Sequence, residues 1–251
     1  MPFSAIIDNL DRFAWGAVLT IELTVISLAI GLVCAVPVGI GRLSRSPIIR
    51  WPIYAYMFVF RGTPLIAQLF LIYYGSGQFV PQLRAIGLWD GFFREPMFCA
   101  LLALVLNTTA YTAEILRGAI LGVPTGEIEA AKAFGMSRLL QLRRVVLPRA
   151  FRIGLPAYTN EVVFLFQATS LVSLITLLDL VGVARDVISD TFRAHQVWIF
   201  VGAVYCVISY LLFWLFGQLE YRWSAHLRAR PGAAAKTGAA PATEAATAMI
   251  R

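Results

Sequence analysis

Charge is what this sequence has least of. Only 14% of its 251 residues are charged, 59% are hydrophobic, and the mean hydropathy is +0.74. Soluble proteins carry about a quarter charged residues. So small a charged fraction cannot form the polar shell of a globule this long, which leaves an integral membrane protein as the class implied. Lysine is nearly missing: of 21 basic residues only Lys132 and Lys236 are lysines, and neither follows a glycine. A phosphate-binding loop of the form GxxxxGK[ST] is therefore excluded, so ATP and magnesium, if used, belong to another chain. Histidine is reduced to His195 and His226, which sit at loop positions without metal-ligand company. The cysteines Cys34, Cys99 and Cys206 are odd in number, and each lies in an apolar run. They read as small core residues, with no disulfide framework and no metal spacing. The opening MPFSAIIDNLDRF has no basic region and no cleavage site after it, so no removable signal peptide is expected.

What the chain does have is long apolar runs. A helix needs ~20 residues to cross ~30 Å of hydrocarbon. Five segments qualify, at residues 15–40, 53–79, 96–121, 153–177 and 197–217. The second and fourth carry the most polar residues and are the least suited to unbroken helices. The reading is an all-α integral membrane bundle. It has an outer segment at 1–14, a membrane domain at 15–220 and a large loop at about 122–152. The tail at 221–251 is rich in Ala, Pro and Thr from Ala229 onward and is expected to be disordered.

Arginine and lysine set the orientation, because they collect on the cytoplasmic side. One side holds Arg42, Arg45 and Arg50, then Lys132, Arg138, Arg143, Arg144, Arg149 and Arg152, then Arg222, Arg228, Arg230, Lys236 and Arg251. The other holds only Arg12, Arg84, Arg94, Arg185 and Arg193. The richer side is assigned to the cytoplasm, with the N-terminus outside and the C-terminus inside. The basic residues sit in short loops between spans, a placement that argues against nucleic-acid binding.

The largest loop reads GVPTGEIEAAKAFGMSRLLQLRRVVLPRAFRIGLP. Residues 127–136 suit a short helix with a face of small alanines, ended or bent by Gly135. Such a helix can enter a cleft on another protein, since the loop has no evident core of its own. The bland reading is an amphipathic connector on the lipid surface.

Here the residues carry a resemblance. Glu129-Ala130-Ala131, with Gly135 and Met136 after them and Leu147-Pro148 further on, resembles the EAA motif of binding-protein-dependent ABC importer permeases. Phe60-Arg61-Gly62-Thr63-Pro64-Leu65 is similar to a signature of the polar amino acid branch. So are Asn107 through Gly118 and Asn160-Glu161 with Thr169-Ser170-Leu171. The text NEVVFLFQATSLVSLITLLDLVGVAR looks like the histidine, lysine-arginine-ornithine and opine group. The resemblance implies a type I importer permease of about five spans in a bacterial inner membrane. It also implies a cytoplasmic pair of ATPases, a second permease subunit, a periplasmic binding protein and an amino acid or opine as cargo. The EAA loop would be the helix through which the ATPases drive the spans, with Glu129, Ala130, Ala131, Gly135 and Met136 as its contact set.

Polar residues inside spans are costly in hydrocarbon and are therefore site candidates. Thr20, Thr24, Ser27 and Gly31 share one helix face, as a pore stripe or a packing seam. At Arg61-Gly62-Thr63-Pro64 the proline cannot donate to the Phe60 carbonyl, so the helix must kink or open there. Freed carbonyls together with the arginine beside them suit a solute carboxylate, which makes Arg61 and Thr63 pathway candidates; alternatively Arg61 reaches to the interface and Pro64 is only a kink. Glu114 and Arg117 are placed to pair, and Asn107 suits either packing or a pocket. Asn160, Phe164, Gln167 and Leu171 align on one face with Glu161 beside it, and this is the expected pocket wall. Asp179, at the outer end, is placed to meet the binding protein.

Three other classes compete. A secondary transporter would carry more spans or an inverted repeat. An ABC permease for another small solute would lack the Phe60–Leu65 text. A membrane enzyme would need a nucleophile–base pair or metal ligands, and none is evident. Reporter fusions check the topology. Those after Gly126 and at the C-terminus should report cytoplasm, and those after Val80 and Arg185 should report periplasm. One reversed reporter rejects the five-span orientation.

Overall fold

A computed structural model describes residues 4–224, and no strand occurs among them. The expected tail lies almost wholly outside these residues. After one turn at Ser4–Ile7, the long helix α1 runs from Leu10 to Arg42. Its 33 residues give a length of ~50 Å, well beyond the hydrocarbon. The described part of the expected outer segment 1–14 is therefore largely helical, and α1 begins five residues before the predicted span.

The buried spine of α1 contains Gly16, Thr20, Thr24, Ser27, Gly31, Ala35 and Gly39. It packs along α4, Pro96–Leu121, the central helix of the bundle. A Cβ on Gly31 would run into Thr108 Cγ2, and one on Gly39 would lie 3.0 Å from the Ala113 carbonyl. Thr20 and Thr24 donate their hydroxyls one turn back, to Gly16 O at 2.9 Å and Thr20 O at 2.7 Å. The stripe is thus a packing seam, and it does not line a pore. Small residues let the two backbones approach closely in a medium where apolar burial gives no net drive.

The expected span 53–79 is not one helix. α2 covers Pro47–Gly62 and α3 covers Leu65–Ser76, with Thr63 and Pro64 extended between them. The segments Pro47–Gly62 and Leu65–Ala85 meet at 104°. The cause is local: proline lacks a donor and forces the preceding residue out of helical geometry.

α5, Thr125–Ala133, lies in the large loop. A short turn at Arg138–Gln141 and a wider turn at Leu142–Val146 lead directly into α6, Leu147–Ala168, which contains Pro156. The expected span 153–177 begins within α6 and then tightens into a 3₁₀ stretch at Thr169–Ile175. Helix α7, Leu180–Thr191, lies between the fourth and fifth expected spans. Asp179 starts it, accepting the amides of Gly182 at 2.9 Å and Val181 at 3.3 Å, and is fully buried. That corrects the expectation that Asp179 meets another protein: its carboxylate is an N-cap. Last comes α8, Ala194–Ser224.

α1, α4 and α8 are long and apolar enough to cross a membrane, and the two bent pairs bring the number to as many as five. Leu23, Leu69, Leu104, Leu165, Val172 and Ile175 join α1, α3, α4, α6 and the tight turn in one core. Large apolar side chains such as Val33 and Tyr210 point outward, as a hydrocarbon surround requires.

The seam makes a stability prediction. Gly31→Leu drives a side chain into Thr108, and overpacking of this kind costs ~1–3 kcal/mol. At Gly202 an added Cβ meets open space. In detergent, Gly31→Leu should lower the midpoint of thermal unfolding clearly, while Gly202→Leu leaves it near wild type. Equal midpoints would show that the seam is not tight.

Candidate functional site

The break after α2 defines a polar centre halfway along α4. Pro64 leaves the Phe60 carbonyl without its helical donor, and a bare carbonyl is costly in hydrocarbon. Gln68 Nε2 lies 2.9 Å from Phe60 O, 3.1 Å from Thr63 O and 2.9 Å from Thr63 Oγ1. Asn107 Nδ2 donates to Phe60 O at 3.2 Å and to Gln68 Oε1 at 3.0 Å. The freed carbonyls are therefore held by side-chain amides, which corrects the expectation that they await a solute carboxylate; moreover, a carbonyl is itself an acceptor. Gln68 was missed by sequence reasoning. Its signal was available: an amide side chain four residues beyond a helix-breaking proline.

Beside this knot lies an open cavity of about 550 Å³, within the usual range for small-solute sites. Thr63, Asn107, Asn160 and Glu161 all line it, together with Tyr111 and apolar groups of α4 and α6. Four of the six expected pathway residues are thus brought together from three separate stretches of chain. Glu161 is 8% exposed, and its Oε1 accepts the Thr108 hydroxyl at 2.9 Å. Asn160 and Phe164 sit on the exposed face of α6 at the mouth. Gln167 lies two turns beyond Asn160 on that exposed face and is not part of the wall.

Arg61 does not line the cavity either. Its guanidinium stands 3.8 Å from Glu114 Oε2 and 5.4 Å from the centre of the Tyr111 ring. Arg117 grips the same carboxylate with two bonds of 2.6 and 3.0 Å, the pairing anticipated from spacing. Two guanidiniums thus share one carboxylate immediately beside the cavity. Tyr111 links the two, lining one and stacking on the other.

The large loop has its own geometry. Two residues beyond α5 the chain turns at Gly135, whose φ is +73°, and the Met136 amide bonds back to Ala131 O at 3.1 Å. Glycine takes such a left-handed turn without the strain that most side chains would meet there. The loop is not coreless as expected. Ala131 is 4% exposed, and Ile128 packs with Leu116, Ala119, Val146 and Ala150. Glu127 pairs with Arg149 at 3.3 Å, and Gln141 Nε2 donates to Met136 O at 2.6 Å. Of the five expected contact residues, Ala131 is turned inward and Met136 is half-buried, while Glu129, Ala130 and Gly135 face out. Phe134, 84% exposed, and Leu139, 75% exposed, were missed. Large apolar residues inside a basic loop were the signal for them.

Comparison with known proteins follows the same lines. Residues 27–225 match the family described as binding-protein-dependent transport system inner membrane component. The nopaline transport system permease protein NocM of Agrobacterium fabrum is 46% identical over 239 residues, covering 95% of this chain and 99% of that protein. The histidine/lysine/arginine/ornithine transport system permease protein HisM of Salmonella typhimurium is 41% identical, over 86% of this chain and 91% of its own. A solved chain described as an amino acid ABC transporter with histidines superposes with a TM-score of 0.78 at 31% identity, covering 88% of this chain and 98% of that one. With a buried carboxylate across a mid-bundle cavity from a helix break and a glycine turn closing the helix of its basic loop, the chain belongs to the family of binding-protein-dependent transport system inner membrane components.

Proposed function

We propose that this chain is the permease subunit of an ABC importer that moves a polar amino acid or opine inward, driven by ATP hydrolysis on separate ATPase subunits. The cavity at the Thr63–Pro64 break carries the reading. It sets the Glu161 carboxylate and the Asn107 and Asn160 amides around a space of solute size. The carboxylate favours a cationic group on the solute, and the amides supply both donors and acceptors. That chemistry fits the basic amino acids, histidine and opines named for the relatives. Arg61 and Gln167 flank the cavity and belong to the same path. Arg61 shares Glu114 with Arg117, which leaves it the weaker-held partner, free to meet a passing carboxylate.

The family membership supports the remaining parts of this reading. The N-terminus faces the periplasm and the C-terminus the cytoplasm, as the basic residues imply. A periplasmic binding protein delivers the solute, and a second permease subunit closes the open side of the cavity. Two cytoplasmic ATPases bind ATP and magnesium. One of them receives α5, with Glu129 and Ala130 on the exposed face and Phe134 and Leu139 as apolar anchors. Closure of the ATPases then moves the bundle as rigid bodies around the mid-bundle site.

Two measurements test this. With the complex in proteoliposomes, Glu161→Gln and Asn160→Ala should each raise the solute concentration for half-maximal uptake about tenfold, the equivalent of ~1.4 kcal/mol. Gln167→Ala should shift selectivity among basic amino acids and opines. Unchanged kinetics in all three variants would place the pocket elsewhere.

The second concerns Gly135. Gly135→Leu forces a left-handed turn on a bulky residue, a strain of ~1–2 kcal/mol, and puts a side chain where the ATPase docks. Membrane insertion should persist while uptake and ATPase co-purification are lost. Asparagine tolerates the left-handed turn, so Gly135→Asn should recover part of both. Wild-type uptake and co-purification in Gly135→Leu would reject the coupling role.

A further inference from the structure

A second cavity, of about 320 Å³, lies between α1, α4, α6 and α8 at the end of the bundle that bears α5. It meets the translocation cavity only at Ile115. Its walls are apolar, with Leu32, Leu155, Phe216 and Leu219 among them, and Tyr158 stacks edge-on to Phe216 with centroids 6.2 Å apart. Apolar cavities of this kind stay dry and take apolar occupants.

What adjoins it identifies the occupant. α8 turns an apolar outer face, including Val207, Tyr210, Leu211 and Leu215, to its surroundings. In a membrane protein the phase against that face is hydrocarbon. At the end of α8, Trp223 lines the cavity, and a tryptophan near a span end marks the headgroup level. Arg222 stands in the adjoining groove, which shares Phe216 and Leu219 with the cavity. A chain lying in the cavity therefore emerges beside a guanidinium at headgroup depth, and a guanidinium suits a phosphate.

We propose that this cavity holds one acyl chain of an anionic phospholipid from the leaflet on the α5 side, with Arg222 meeting its phosphate. The lipid fills the space between α6 and α8. It braces the first turns of α6, where Ala150 and Phe151 form part of the wall and the large loop ends.

The test uses the full-length chain with its partner subunits in bilayers of phosphatidylethanolamine with a minor share of phosphatidylglycerol. After gentle extraction, native mass spectrometry should find one phosphatidylglycerol per copy, enriched about tenfold over its share of the bilayer. Leu219→Trp, which fills the cavity from the loosely packed α8, should lose it at least fivefold. Arg222→Gln should keep a phospholipid but lose the preference for the anionic one. Wild-type retention in Leu219→Trp, or no enrichment in the wild type, overturns the proposal in favour of ordinary boundary lipid.

A second measurement needs no cavity-filling variant. Phosphatidylglycerol brominated on its acyl chains should quench a tryptophan component that saturates at a few mole per cent and disappears in Trp223→Phe. Quenching that grows in proportion to lipid content, or is unchanged in Trp223→Phe, also overturns it. Neither readout depends on uptake, so this site stands or falls apart from the assignment of a solute.

Discussion

One backbone carbonyl, that of Phe60, constrains much of this molecule. Pro64 deprives it of its helical donor in a region where water is scarce, and such a group must find another partner. Gln68 and Asn107 supply it, and in doing so they tie the end of α2, the start of α3 and the middle of α4 into one knot. The helix break is thereby fixed in shape, and the cavity beside it has a defined wall. Replacing the proline by a helix-forming residue would remove both the break and the space it opens.

The knot is held from behind by the seam between α1 and α4. Gly31 lies against Thr108, and Thr108 in turn donates to Glu161. The contact of Gly31 with Thr108 is thus one side chain away from the buried carboxylate. A shift of α1 would be felt at Glu161 through a single threonine. Packing and polar chemistry are hard to separate here, because small residues bring the helices close enough for these hydrogen bonds to form.

Much of this was legible in the sequence. The apolar runs gave the spans, Pro64 gave the break, and the EAA and Phe60–Leu65 texts gave the family. Asn107, Asn160, Thr63 and Glu161 were named from their spacing and meet in one cavity. What was not legible depends on pairing between distant stretches. Gln68 matters because Asn107 is opposite it, and Asp179 is a cap because its own carboxylate turns back on the next amides. Ala131 looked like part of a projecting surface because alanine suits burial and exposure alike. Gln167 shares a helix face with Asn160, but the cavity runs along the side of α6 that carries Glu161, Leu165 and Ala168, and Gln167 falls just off that side. Helix α7 was overlooked because its apolar period is short and follows directly on a span.

The path from the wide turn at Leu142–Val146 into α6 is unbroken, and α6 also carries Asn160 and Glu161. The loop end and the carboxylate therefore sit on one rod, separated by 14 residues or ~21 Å. A tilt of that rod by ~10° at the loop sweeps the carboxylate through ~4 Å, comparable to the size of a solute group. The rod is not uniform, however. Pro156 interrupts its hydrogen-bond ladder between the two ends, which makes the linkage compliant there. Any displacement of the loop end is thus divided between moving Glu161 and flexing the rod. Helix stiffness near Pro156 then sets how much of a movement at one end reaches the other.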